Sequence, residues 1–265
     1  MPEPVRPPQQ VGFESGQLRL HGLLWLPAGS GPFPAVVFNH GSGGATAGVT
    51  AGMPIAEAAA RLAPLFTQRG FAFFYPFRRG QGASADVAPF MQDLLSREEQ
   101  AHGKEARRHL QDTLMQTEQL DDVLAALAFV RTVPEVDAQR LVVAGHSFGG
   151  QLSILAAARV PSLRAGVTFA ASAGSWPRSA EVRRVLPEAV RAAQCPLMFV
   201  QWRNDFSTDA TTALAAEERP GGPRRLGVLY PPLGTTPEEG HSGLYLDPAR
   251  WQPDVFRFLE EALSH

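Results

Sequence analysis

Leu141-Val142-Val143-Ala144 is an apolar run of strand length that leads straight into Gly145-His146-Ser147-Phe148-Gly149. The segment that follows, Gln151 to Ala158, is rich in alanine and leucine. This order predicts a strand, a sharp turn carrying an exposed serine, and a helix whose N-terminus points toward that serine. The G-x-S-x-G pattern has a mechanical reason. A nucleophile at the tip of such an elbow sits in a strained backbone conformation, so its neighbours must be small. Gly145 and Gly149 let strand and helix approach closely. The helix N-terminus favours developing negative charge. The competing reading is a glycine-rich turn with an incidental serine.

The rest of the chain fits an alternating architecture around that elbow. Val11 to Ser15 and Leu18 to Leu26 read as a hairpin pair about Gly16-Gln17. Short apolar runs at 35–39, 71–75, 141–144, 166–171, 197–201 and 226–230 read as buried strands. Helical periodicity appears over Ile55 to Arg69, Thr113 to Arg131, the segment from Gly150, and Pro253 to Leu263. Buried strands that alternate with helices predict a mainly parallel sheet, helices on both faces, and right-handed crossovers. Residues 1–10 read as an extended, proline-rich lead. Residues 85–110 form a long connection after the fourth strand, with an apolar start and a charged middle. Long connections in compact domains are often lids. A helical lid is one reading, and a solvated extension of the next helix is the other.

Bulk properties narrow the class. A chain of 265 residues can bury one large α/β core, and a single domain over 1–265 is expected. The formal net charge of −2 gives no basic footprint for nucleic acid or for an anionic membrane. No apolar stretch approaches the roughly 18 residues of a membrane helix. No apolar leader follows Met1, and Cys195 is the only cysteine, so no internal disulfide can form. These features are compatible with a cytoplasmic location. Monomer and homodimer both stay open.

A serine hydroxyl needs a base within hydrogen-bond reach, and the base needs an orienting acid. Asp205 follows the apolar run that starts at Pro196, and His241 follows the last predicted strand. The chain order Ser147, Asp205, His241 is that of a triad on this kind of sheet. Asp209 is the alternative acid. Among the seven histidines, His146 is fixed beside the nucleophile, and His21, His40, His102, His109 and His265 lie elsewhere. Asn39-His40-Gly41-Ser42-Gly43-Gly44 follows the strand at 35–39 and can aim backbone N–H groups at a substrate oxygen. One such donor is assigned to Ser42, with Gly41 or Gly43 as alternatives, and the other to Phe148. The loop lacks the endings of a P-loop or a dinucleotide fingerprint. Trp176, Trp202, Phe77 and Phe90 could line a pocket or fill the core. Cys195 reads as a small buried hydrophobe.

His40-Gly41-Ser42-Gly43-Gly44, Arg79-Gly80-Gln81-Gly82-Ala83-Ser84, Gly145-His146-Ser147-Phe148-Gly149-Gly150, the Asp205 loop and His241 together resemble the α/β-hydrolase superfamily. The resemblance spans about residues 18 to 263 and is nearest to dienelactone-hydrolase-like and prolyl-oligopeptidase-like serine esterases. It implies an eight-stranded, mostly parallel sheet, a small-molecule ester substrate, and no cofactor or metal. Dienelactone hydrolases proper carry a cysteine nucleophile, and this chain has Ser147. Many superfamily members hold a large cap after the sixth strand, where this chain has only Ser172 to Gln194. The segment 85–110 is then the expected cover. Arg78 and Arg79 could bind a substrate carboxylate, but the resemblance favours a structural ion pair beneath the loop. Peptidase, amidase, thioesterase and perhydrolase chemistry use the same triad, and a non-catalytic binding module uses the same fold.

Overall fold

The computed structural model describes residues 7–42 and 54–264 of the chain. Strands β1 (Gln9–Ser15) and β2 (Leu18–Trp25) form the expected hairpin, with Ser15 opposite Leu18. Strand β1 takes in Gln9 and Gln10, so the lead is shorter than 1–10, and residues 1–6 lie outside the described residues. Next come β3 (Phe33–Asn39), α1 (Ile55–Thr67), β4 (Ala72–Phe77), α2 (Met91–Gln116) and α3 (Glu118–Val130). The nucleophile segment lies between β5 (Val136–His146) and α4 (Phe148–Arg159). The chain continues through β6 (Ala165–Phe169), α5 (Ala180–Ala192), β7 (Leu197–Trp202) and α6 (Asp209–Ala215). It ends with β8 (Arg225–Tyr230), two short helices α7 (Pro237–His241) and α8 (Gly243–Leu246), and α9 (Pro248–Leu263).

The eight strands form one sheet in the order β1-β2-β4-β3-β5-β6-β7-β8. The β1–β2 and β2–β4 pairs are antiparallel, and every other pair is parallel. This is the expected α/β-hydrolase sheet. Side chains alternate across a strand, so both of its faces must be apolar when helices cover both. Ala35 and Val37 of β3 enter one core, together with Leu152 of α4 and Leu186 of α5. Val36 and Phe38 enter the other, together with Leu62 of α1 and Trp251 of α9. The second core is strongly aromatic. The Phe66 ring lies 5.1 Å from Phe73 and 5.4 Å from Phe256. Such pairs add about 0.5–1.5 kcal/mol each beyond simple burial.

The segment predicted as an insertion is helical but is bounded differently. Helix α2 runs from Met91 to Gln116 and is broken at Gly103, where φ is 87°. Its buried residues are Met91 and Leu95 at one end and Leu114 and Met115 at the other. The charged middle therefore bridges two apolar anchors. The single helix expected from Thr113 to Arg131 is interrupted at Thr117, whose φ of −119° and ψ of −107° stop α2 and start α3. Periodicity ran on across the break because Leu114, Met115 and Leu120 all face the core. Among the described residues no helix is long and apolar enough to cross a membrane.

Candidate active site

The β5–α4 junction is a tight elbow. Ser147 takes φ 54° and ψ −118° between the strand and the helix. A Cβ on Gly145 would lie 2.3 Å from the Gly149 carbonyl oxygen, and one on Gly149 would lie 2.1 Å from that of Asn39. Only glycine permits this approach at either position. The Ser147 N–H donates to the Phe169 carbonyl at 2.8 Å, which ties the elbow to the end of β6.

Three separated residues meet at this point. The Ser147 Oγ is 3.0 Å from His241 Nε2, and His241 Nδ1 is 2.9 Å from Asp205 Oδ1. With the Nδ1 proton donated to the carboxylate, Nε2 is left to accept from the serine hydroxyl. Asp205 has a fully buried side chain. Its Oδ2 accepts from Gln201 Nε2 at 2.7 Å, and its Oδ1 also accepts from the Phe206 N–H at 2.6 Å. Gln201 is itself held, because its Oε1 accepts from Thr211 Oγ1 at 2.7 Å. Asp209, the alternative acid, begins α6, and the His241 Nδ1 is bonded to Asp205 instead.

The histidine is held from its own side. Thr236 and Glu239 form a capping box at the start of α7, which ends at His241. Asn204 cross-links the acid and histidine loops: its Nδ2 donates to the Leu233 and Thr236 carbonyls, and its Oδ1 accepts from the Leu233 N–H. His146 turns away from Ser147, as its position predicts, and its Nε2 donates to the His241 carbonyl at 2.9 Å. Burial, with His241 close by, pulls the His146 imidazole down to about 3, so it is neutral near pH 7.

The start of the segment after β3, at His40 and Gly41, is held by Arg78. This buried guanidinium donates to the His40 carbonyl at 2.8 Å, to the Gly41 carbonyl at 2.7 Å and to Gln119 Oε1 at 3.0 Å. Burial lowers it to about 10, so it stays charged at neutral pH. His40 is also buried, and burial beside Arg78 holds its pKa well below the ordinary value. Its Nδ1 donates to the Gly41 carbonyl at 2.8 Å. The expected ion pair belongs to Arg79, which grips Asp122 at 2.7 Å with its guanidinium. Arg78 departs from that expectation, since its direct partners are uncharged oxygens. Ser42 lines the cavity with Ser147 and Phe148. Phe148 opens α4, so its N–H has no acceptor within the helix. Gly43, the other candidate donor, lies outside the described residues.

A cavity of about 800 Å³ opens over Ser147 and His241. One wall is the middle of α2, including Lys104, Gln111 and Asp112. The facing wall is the segment after β6, residues 172–175 and 177–179. The two walls are bonded together: Ser179 Oγ donates to Asp112 Oδ2 at 2.7 Å, and Gln116 Nε2 donates to Glu181 Oε1 at 3.1 Å. Residues 85–110 thus share the covering with a stretch that looked too short to contribute. Trp176, Trp202, Phe77 and Phe90 do not line the cavity, and the first three are core residues. The apolar lining comes from Phe148, Ala173, Pro177 and Phe206, the last of which is 46% exposed. Cys195 is buried, and desolvation raises its thiol to about 11, as expected for an inert position. Among the described residues no group of three His, Cys, Asp or Glu side chains is arranged to hold a metal ion.

Sequence reasoning missed Gln201 and Asn204. Gln201 had one readable signal: it is a polar residue in an otherwise apolar strand, four positions before Asp205. Asn204 had none, because its role depends on loops meeting in space.

Known proteins share this architecture. A dienelactone hydrolase from Anabaena variabilis superposes with a TM-score of 0.63 at 19% identity, covering 96% of this chain and 99% of that one. Est1E from Butyrivibrio proteoclasticus, solved with ferulic acid bound, gives 0.65 at 15% identity over 96% and 100% of the two chains. The acylaminoacyl peptidase of Pyrococcus horikoshii gives 0.64 at 18% identity over 98% of this chain, but this chain spans only 42% of the peptidase. At these identities the likeness is one of fold. No curated protein matches the chain. The dienelactone hydrolase family matches residues 20–218, most of the chain and the segment that carries Ser147 and Asp205. The chain belongs to the dienelactone hydrolase family, whose members are hydrolases on the α/β fold.

Proposed function

We propose that this protein is a serine hydrolase that cleaves small to medium carboxylic esters through an acyl-enzyme. The observation that carries the reading is the unbroken relay from Ser147 Oγ through His241 to Asp205, at 3.0 and 2.9 Å. Ser147 attacks the ester carbonyl while His241 Nε2 takes its proton. Asp205 holds the imidazole tautomer and stabilises the imidazolium that forms. The N–H groups of Ser42 and Phe148 receive the oxyanion, each contributing about 2.7–4 kcal/mol to the barrier reduction. His241 then returns its proton to the leaving alcohol. In the second half it activates water, which attacks the acyl carbonyl and releases Ser147. No step needs a metal or cofactor. The substrate is a free small molecule, and the compartment consistent with the chain's composition is the cytoplasm.

A fluorophosphonate probe tests the reading without a guess about substrate. A single adduct on Ser147 in the native protein, absent after heat denaturation, is expected. Ser147→Ala should lower kcat for a 4-nitrophenyl ester by about 10⁶ while leaving the melting temperature unchanged. A variant that keeps native turnover would remove Ser147 from the mechanism. The likeness to an acylaminoacyl peptidase favours amide cleavage as the second reading. An anilide cleaved with a higher kcat/KM than the matching ester would select it.

A further inference from the structure

The segment after β6 is strained where it meets the nucleophile. Phe169, the last residue of β6, accepts the Ser147 N–H through its carbonyl. Ala170 and Ser172 then both take positive φ, 54° and 64°. Non-glycine residues rarely adopt that region, and such strain collects at functional sites. Ala171 packs on the start of α4, where a Cβ added to Gly150 would lie 2.9 Å from the Ala171 Cβ. The strained turn is therefore clamped directly beside the elbow.

Ser172 has a second unusual property. Its carbonyl is used, accepting the N–H groups of Ser175 and Trp176 at 3.0 and 2.8 Å. Its hydroxyl is buried and has no hydrogen-bond partner among the described residues. Buried polar atoms are nearly always paired, so an orphan calls for a reason. Among the described residues Asn39, Gln81 and Thr168 also carry orphan atoms, but none of them lines the cavity. Ser172 does, together with Ser147 and His241. The described residues leave this hydroxyl unpaired on a residue that lines the reaction cavity, and because the oxygen itself is buried it reaches a ligand by turning about its χ1 toward that cavity.

We propose that Ser172 is a specificity-determining residue whose hydroxyl hydrogen-bonds a polar oxygen of the substrate close to the scissile carbonyl. This rests on the esterase reading and narrows it. The substrate class is an ester bearing a hydroxyl or similar oxygen on its acyl or alcohol part, in preference to a plain alkyl ester. The neighbouring wall suits such a group, since Gln151 and Ser175 line the same cavity and are bonded to each other at 2.9 Å. A site built to pair with a substrate oxygen discriminates strongly against an analogue that lacks it.

The test compares the native protein with Ser172→Ala and Ser172→Gly on two matched pairs. One pair is 4-nitrophenyl 3-hydroxybutanoate and 4-nitrophenyl butanoate. The other is 2-hydroxyethyl butanoate and propyl butanoate. The expected result is a native preference for the hydroxylated member of at least one pair, and a fall of about tenfold or more in that ratio in both variants. The plain esters should lose distinctly less than their hydroxylated partners. Melting temperature should hold or rise in Ser172→Ala, which removes an orphan hydroxyl, and should rise in Ser172→Gly, which also relieves the left-handed backbone. Unchanged ratios in both variants would overturn the proposal and leave the esterase reading standing. An equal loss on all four esters, or a lower melting temperature in both variants, would also overturn it by making Ser172 a general or structural residue. No turnover of any ester by native protein would overturn the esterase reading and this substrate class with it.

Discussion

The nucleophile elbow and the middle of α2 form two walls of one cavity, and they are built on opposite principles. Gly149 in the elbow has no room for a methyl group, because a Cβ would sit 2.1 Å from the Asn39 carbonyl oxygen. Gly103 in α2 has open space around it, and its φ of 87° is what calls for glycine. The elbow is buried except at Ser147, which is half-buried and opens on the cavity, and every residue of α4 from Phe148 to Ala157 is buried. The middle of α2 is exposed or half-buried, and ion pairs such as Arg107–Glu99 at 3.1 Å lie on it. Exposed pairs of this kind contribute at most about 1 kcal/mol. The difference separates two tasks. Reacting atoms must be held to a fraction of an ångström, which dense packing achieves. A covering wall must exclude water and accommodate a ligand, which a helix anchored only at its ends can do.

The contrast can be broken by substitution. Gly149→Ala has the largest expected effect. The new methyl group meets backbone rather than a flexible side chain, so the elbow must shift, at a cost of roughly 3 kcal/mol. A thermal melt should show a fall of roughly 6–12 °C, and ester turnover should be lost with it. A native melting curve would mean that the elbow is looser than its contacts indicate.

Acid sharpens the same comparison. The His146 imidazole is held near 3 in the folded protein, against about 6.5 in an unfolded chain. Between those values the unfolded chain binds a proton that the folded protein does not. Stability is therefore complete above about pH 6.5 and falls as pH drops toward 3, by up to about 1.4 kcal/mol per pH unit from this residue. His40, with its pKa lowered by burial and by Arg78, adds in the same direction. Urea midpoints measured from pH 7 to pH 4 should decline, and His146→Gln should make the decline shallower. An equal slope in the variant would place the acid sensitivity elsewhere.

The smallest effect belongs to α2. Gly103→Ala forces an L-residue into a positive-φ, extended-ψ conformation that glycine alone adopts readily, with no new clash, at a cost of roughly 1–3 kcal/mol. It should lower the melting temperature by only a few degrees and leave fluorophosphonate labelling of Ser147 intact. A larger loss than that of Gly149→Ala would reverse the assignment of rigid and yielding walls.

How much of this was legible before folding differs by residue. The strands were readable because a sheet covered on both faces needs continuous apolar runs, and Val36, Val37 and Phe38 supply one. Ser147 was readable because the elbow demands small residues at fixed spacing. Asp205 and His241 could be nominated from their order along the chain. That the three come within hydrogen-bond distance depends on parallel strands that place their C-terminal loops at one edge. The partners that hold them were not legible. Asn204 matters only because Leu233 and Thr236 come near it, and Arg78 only because the His40 and Gly41 carbonyls face it. Ser172 in sequence is one serine among several. Its positive φ, and a hydroxyl with no partner among the described residues, exist only once β6 is bonded to the elbow. Local pattern is set by burial period and backbone sterics, which act over a few residues and are written in the chain. The contacts that build a cavity join residues tens of positions apart, and only the closed sheet decides which of them meet.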